Sequence, residues 1–387
     1  LVNQVGTENS DTILIQYAEK LSKYIKKNEL LARVNGDRFV ALKEKNDIDE
    51  FLHHAKRFVL EIPMTKGAKS VQVNSRCGVY EIADNETSAD EMIRYATLAE
   101  KMARRSDAND LAWYTNEMTQ RDMREKYIIA NFSNALMEGE FHVYYQPKVN
   151  MKTGLLCGAE ALVRWQHKGK MISPMEFIPV LEEEGRIVEL DYYVLERVCR
   201  DLADWIAKGI QPVRVSSNFS KIHLRNAAFA ERVLQIVHKH DVDTKYIETE
   251  LTESSGYEDF EAMTHFVKVM NQAGVTTAID DFGTGYSSLS MLKDTTVDVV
   301  KLDRSFLQSV KDGKVSNQTN EKMVENIVRM ILDLDRQVIC EGVETKEQVD
   351  FLQKIQCYVA QGFYYDMPLP HDEFEENWLK RNKEYAK

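Results

Sequence analysis

Short apolar runs of β type recur through the last two thirds of the chain, and a polar residue stands in or just past the end of each. The runs are LLCGAEAL (155–162), VRVSSNFS (213–220), YIETELTES (246–254), VTTAIDDFG (275–283), VDVVKLD (297–303), QVICEGVE (337–344) and YVAQGF (358–363). The stretches between them read mainly as helices. Repeated strand-then-helix units with polar groups at strand carboxyl ends are how an α/β chain of the (β/α)8 barrel type builds a site on one rim. Another strand, HVYYQPKV (142–149), precedes these runs across the turn MKTG (151–154). So short a turn makes its two strands antiparallel, which predicts a TIM-like barrel modified at its first strand. Ser173, Pro174 and Glu176 supply an N-cap, a proline at the first helical position and a capping-box acid for the helix that follows.

The front of the chain has a different rhythm. A helix is expected over 12–27, then a hairpin over 30–44 turning at Asn35-Gly36. A second helix is expected over 48–60, a strand over 71–82, and a helix over 88–105 opened by Ser88 and Glu91. This is a small α+β domain, 1–115. Residues 116–140 read as a charged helical connector with glycine only near its end, and 141–387 as the barrel.

The polar set on the barrel runs is Glu160, Asn218, Glu250, Asp280, Asp281, Lys301, Glu341 and Gln361. Five carboxylates around one mouth repel one another unless cations sit among them, which points to metal-dependent phosphoryl or hydrolytic chemistry. Each residue alone has a plainer reading: Glu160 as a satisfied buried acid, Asn218 and Asp280-Asp281 as turn residues, Lys301 as a solvated rim charge. Their shared position at the ends of successive strands favours the site.

Bulk properties narrow the partners. Net charge is −12, which disfavours a nucleic-acid polymer as ligand but allows a small phosphorylated molecule held through metals. No apolar stretch reaches the roughly 18 residues of a membrane-spanning helix. The five cysteines are odd in number and scattered, and read as buried free thiols in a cytoplasmic protein. The chain begins at Leu1, so a sensor or membrane segment upstream stays open.

From about Met123 to Trp378 the chain resembles EAL-domain cyclic di-GMP phosphodiesterases. YYQPKV, GAEALVRWQH, ISPMEFIP, VSSNFS, ETELTES, AIDDFGTGYSSLSML, VVKLD, CEGVET and QGFYYDMPLP stand in the family's order. The front half resembles a shortened, degenerate GGDEF domain, the diguanylate cyclase fold. Its signature reads Asn35-Gly36-Asp37-Arg38-Phe39, with a cation where that family has a carboxylate. The upstream Arg-x-x-Asp element of active cyclases corresponds here to Lys26-Lys27-Asn28-Glu29.

The resemblance implies hydrolysis of cyclic di-GMP to linear pGpG. Glu160, Asn218, Glu250 and Asp280 would hold one Mg2+ or Mn2+, and Asp280 would bridge to a second ion shared with Asp281 and Glu341. Ca2+ would inhibit, because it disfavours compact octahedral coordination. Lys301 would contact the attacking water, Gln361 would help place it, and Gln146 and Arg164 would touch substrate. Glu253 would anchor the loop Asp281–Ser288, where Gly283 and Gly285 permit a sharp bend. A homodimer through the barrel is implied, and the front domain is left with regulation or GTP sensing. The competing reading is a catalytically silent cyclic di-GMP receptor that signals through the connector. Met367 departs from the basic residue usual in the family's last motif.

Overall fold

The computed structural model describes residues 7–64, 67–83, 88–105, 109–252, 257–283, 292–311 and 317–385. The chain forms two units, Leu1–Tyr127 and Ile128–Lys387.

In the first unit the elements are α1 (Thr7–Ser22), β1 (Leu30–Asn35), β2 (Arg38–Leu42), α2 (Ile48–Lys56), β3 (Arg57–Met64), β4 (Gly67–Asn74), β5 (Cys77–Val79), α3 (Ala89–Arg105) and β6 (Leu111–Trp113). The β1–β2 hairpin turns at Gly36, whose φ of +49° lies in the left-handed region. Helix α2 is shorter than expected. It stops at Lys56, and β3 begins with buried Phe58 beside exposed Val59, the alternation of a strand. The single strand expected over 71–82 is two. Ser75 and Arg76 break it, leaving β4 antiparallel to β3 and β5 parallel to β6. Ile13, Tyr17, Leu21, Phe51, Ala55, Phe58 and Val73 form the core of this unit.

Helix α4 (Asn116–Glu138) contains the boundary between the units. In its first half Glu125 receives Lys101, Arg105 and Arg121 at 3.0, 2.6 and 3.0 Å. In its second half Ile128, Phe132 and Ala135 are buried in the barrel unit's core.

The second unit opens with β7 (Phe141–Asn150), β8 (Leu156–His167), β9 (Lys170–Ile172), α5 (Pro174–Glu183), α6 (Ile187–Ala207) and β10 (Arg214–Phe219). It continues with α7 (Phe229–Lys239), β11 (Ile247–Thr252), α8 (Tyr257–Gln272), β12 (Thr276–Phe282) and β13 (Val299–Leu302). Then come α9 (Asn317–Asp333), β14 (Gln337–Cys340), α10 (Lys346–Lys354), β15 (Val359–Ala360) and β16 (Leu369–Pro370). Strands β8, β10, β11, β12, β13, β14 and β15 pair in parallel succession, and β7 closes the barrel antiparallel to both β8 and β15. The β7–β8 turn is local chemistry: the Asn150 side chain accepts from the Lys152 and Thr153 amides, and Gly154 takes φ +71°.

Around the barrel, α6 buries a helical stripe including Leu190, Val194, Leu195, Val198, Leu202 and Trp205. At one end Phe141 stacks on Trp165 at 5.0 Å with Phe132 and Phe177 against it edge-on. Each such fully buried side chain contributes about 1.5–3 kcal/mol of transfer free energy. Helix α5 begins at Pro174 with Ser173 as its N-cap, although the Ser173 side chain makes no capping hydrogen bond. The expectation of buried thiols fits Cys199, Cys340 and Cys357; Cys77 is only half-buried, and Cys157 is exposed because it alternates with inward-facing neighbours on β8.

Candidate metal centre

Alternation along the strands brings Glu160, Asn218, Glu250, Asp280 and Lys301 to the barrel interior. Register then brings residues of different strands to one level: Glu160 lies beside Gln146 on one side and Ser216 on the other, and Asn218 beside Glu250. Glu341 and Gln361 follow the last residues of β14 and β15, at the carboxyl rim.

Lys301 is the hub. Its fully buried ammonium lies 3.3 Å from Glu160, 2.6 Å from Glu250, 3.1 Å from Asp280 and 2.6 Å from Glu341. Asn218 donates its amide to Glu160 at 2.7 Å. Gln361 donates to Glu160 at 2.6 Å and to the Gln146 carbonyl oxygen at 2.9 Å. Gln146 in turn donates to the backbone oxygen of Asp366 at 3.3 Å. Arg164 shares the strand face of Glu160 and lies 5.8 Å over the Tyr144 ring. Eight of the sequence-predicted residues (Gln146, Glu160, Asn218, Glu250, Asp280, Lys301, Glu341 and Gln361) thus form one network of side chains.

Asp281 sits beside that network. Its amide donates to Asp280 Oδ1 at 3.0 Å, and its φ of +53° is a conformation that non-glycine residues seldom hold. Gly283, two residues on, has φ +92°, and a Cβ there would meet the Phe306 ring at 2.4 Å. The bend at the end of β12 therefore needs a glycine. Glu253 and residues 284–288 of the same loop, including Gly285, lie outside the described residues.

Two carboxylate groups have ligand oxygens within 4.8 Å of one another: Glu160, Glu250 and Asp280, and Asp280, Asp281 and Glu341. Asp280 belongs to both. All donors are hard oxygens, the type preferred by Mg2+ and Mn2+. Burial pushes Asp280 up to about 7 and Glu341 up to about 8, with neighbouring carboxylates adding to the effect and Lys301 opposing it. Asp281 is raised by burial and by Asp303. Burial also acts upward on Glu250, but Lys148 and Lys301 outweigh it and bring it down to about 2. The Lys301 ammonium is held well above the usual lysine range: burial lowers it, and the carboxylates around it prevail. The carboxylates are thus under-compensated on the Asp280–Glu341 side, where additional positive charge fits.

Residue-by-residue reading passed over Lys148, Ser216 and Glu248. Lys148 Nζ lies 2.8 Å from Ser216 Oγ, 2.7 Å from Glu248 and 2.9 Å from Glu250, all buried. A signal was present: Lys148 follows Gln146 on the same strand face, and Glu248 precedes Glu250 on theirs. The structure also gathers Asp204, His371 and Glu375, which no spacing announced. There Lys208 already lies 2.6 Å from Asp204 and 2.8 Å from Glu375.

In the first unit the signature loop is solvent-facing. Asp37 is exposed, and Arg38 is half-exposed with its nearest carboxylate, Glu100, at 4.0 Å. Upstream, Glu29 is buried and pairs with Lys43 while accepting the backbone amides of Lys26 and Glu44 at 2.8 and 3.1 Å. Lys26 pairs with Asp47. Both ends of the Lys26–Glu29 element are therefore engaged within the fold.

A family model of the EAL domain matches residues 129–368. The chain belongs to the EAL-domain family. The model of the diguanylate cyclase GGDEF domain matches residues 1–110, so the EAL domain here follows a GGDEF domain. Cyclic di-GMP phosphodiesterase PdeR of Escherichia coli is 32% identical over 96% of this chain and 56% of its own length. The bifunctional diguanylate cyclase/cyclic di-GMP phosphodiesterase MucR of Pseudomonas aeruginosa is 28% identical over 95% of this chain and 54% of its own length. The chain spans about half the length of the curated relatives it matches. Among solved structures, the PaMucR phosphodiesterase in complex with c-di-GMP superposes with a TM-score of 0.59 at 31% identity, over 64% of this chain and 99% of that one. No helix among the described residues is long and apolar enough to cross a membrane.

Proposed function

We propose that the EAL domain of this chain hydrolyses one phosphodiester bond of cyclic di-GMP, giving linear pGpG, at a two-cation centre that takes Mg2+ or Mn2+. The observation that carries this reading is the pair of carboxylate groups sharing Asp280 at the carboxyl ends of the barrel strands. It is supported by family membership and by relatives named cyclic di-GMP phosphodiesterases. Glu160, Asn218, Glu250 and Asp280 would hold the first cation, and Asp280, Asp281 and Glu341 the second. Divalent ions there would supply Lewis acidity and an activated water.

The chain's own residues do the rest. Lys301, kept protonated by its carboxylates, contributes charge and orients water rather than removing a proton. Gln361 keeps Glu160 and the adjacent rim in place by donating its side-chain amide to Glu160 and to the Gln146 side-chain oxygen. Arg164 offers a guanidinium to phosphate oxygens. In the reaction a water oxygen bonds to phosphorus, the bond from phosphorus to one ribose oxygen breaks, and that oxygen takes up a proton. Ca2+ inhibits because it disfavours compact octahedral coordination. The GGDEF domain regulates rather than synthesises, and the EAL domain pairs as a homodimer.

The test is chromatography of cyclic di-GMP incubated with the chain and Mn2+, with Glu160→Ala and a chelator as separate arms. Linear pGpG from the unmutated chain with metal alone is the expected result. Equal turnover by Glu160→Ala would sink the metal assignment, and binding without turnover would make the chain a receptor.

A further inference from the structure

Glu250 is fully buried, and its two carboxylate oxygens face different cations: Oε1 meets Lys148 at 2.9 Å and Oε2 meets Lys301 at 2.6 Å. The two lysines are not equivalent. Lys301 distributes its ammonium over four proposed ligands, so any metal ion competes with it for the same oxygens. Lys148 is anchored by Ser216 at 2.8 Å and Glu248 at 2.7 Å, and neither belongs to the proposed ligand set. Its hold on Glu250 is therefore independent of what the ligands do.

The fold makes room for this arm. Lys148 faces Gly158 in the β7–β8 register, and a Cβ at Gly158 would lie 3.4 Å from Lys148 Cδ and 3.3 Å from the Arg214 carbonyl oxygen. A larger residue there would crowd the side chain as it crosses the barrel floor. The glycine directly before the Ala159-Glu160 pair thus serves the lysine across from it.

We propose that Lys148 is the positioning residue of the metal centre: it grips the inner oxygen of Glu250 from below so that the outer oxygen is presented to the cations. An outer partner that orients a ligand carboxylate typically accounts for 10–100-fold in metal affinity. The inference rests on the two-cation reading above, and the experiment separates the two.

The experiment is calorimetric titration of Mn2+ into the metal-free full chain, its Lys148→Met variant and its Ser216→Ala variant, without nucleotide and with a thermal melt of each. Lys148→Met is expected to weaken Mn2+ binding by about 10–100-fold while retaining a cooperative melt. Ser216→Ala preserves every charge and loosens only the anchor; it is expected to weaken binding by about threefold to tenfold. An unmutated chain that takes up no Mn2+ overturns the two-cation reading and this inference together. Binding by the unmutated chain with unchanged or tighter binding by Lys148→Met overturns the inference alone. If Lys148→Met gives no melt, Ser216→Ala decides, and unchanged Mn2+ affinity there overturns the assignment.

Discussion

Asp280 stands in both carboxylate groups, and its burial shows what an under-compensated acid does to a fold. In the metal-free chain Asp280 keeps its proton up to about 7 and Glu341 up to about 8, against ordinary values of 3.8 and 4.5. An acid that holds its proton in the fold but releases it when unfolded makes the fold less stable as pH rises between those values. Glu250, depressed to about 2 from 4.5, acts oppositely: its contribution is present at neutral pH and is lost as the solution turns acidic. Metal-free protein should therefore lose thermal stability as pH rises from about 5 to about 8, by at least about 3 °C, and Mn2+ should remove that loss. A melting temperature flat across this window without metal would show that these acids are already ionised in the fold. Much of this chemistry was legible in the sequence, because acids recur at the ends of successive apolar strands. Lys148 and Glu248 left only a weak signal, a strand face shared with Gln146 and Glu250, which looks like ordinary alternation until register shows what faces it.

At the scale of elements, the rim depends on close backbone approaches. A Cβ at Gly362 would lie 2.2 Å from the Val343 carbonyl oxygen, where Val343 and Gln361 share a backbone hydrogen bond of 3.1 Å. Gly362→Ala should push the β14 and β15 ends apart, cost about 2–4 kcal/mol in denaturant unfolding and displace Gln361 from Glu160. A variant with unchanged midpoint would show that the rim absorbs the methyl. The end of β10 is tied from outside the barrel: Asp191 on α6 accepts the Ser220 amide at 2.9 Å and lies 3.0 Å from the His223 ring, both buried. Asp191→Ala should cost about 1–3 kcal/mol by stranding the Ser220 amide, and loosen Asn218 two residues upstream. Chemical denaturation would measure the first effect, and no loss of stability would mean water replaces the carboxylate. Strand positions were readable from apolar runs in the barrel because each is bounded by helices of a different period. In the front domain, periodicity ran helix 48–56 into strand 57–64, and nothing in the residues marked the junction until Phe58 and Val59 took opposite faces. The break at Ser75 and Arg76 was likewise hidden inside an apparently continuous strand.

For the whole molecule, the two domains have opposite prospects. The GGDEF domain keeps the hairpin of its signature but offers Arg38 in place of a carboxylate, and its Lys26–Glu29 element is spent on internal pairs with Asp47 and Lys43. Incubation of the Glu160→Ala chain, whose hydrolysis is disabled, with GTP and Mg2+ should therefore yield neither cyclic di-GMP nor pGpG, and the appearance of either on chromatography would show that the domain is an active cyclase. The EAL domain retains every acid of both carboxylate groups and the lysine among them. Its family was legible because so many motif strings stand in order, whereas the strength of the Lys148 anchor emerged only when the barrel was closed. The most direct test of hydrolysis at this centre is mass spectrometry of cyclic di-GMP incubated with the chain and Mn2+ in water enriched in heavy oxygen. Attack by water at phosphorus predicts linear pGpG carrying one heavy oxygen on its terminal phosphate. Recovery of intact cyclic di-GMP, with the nucleotide bound but unlabelled, would contradict it.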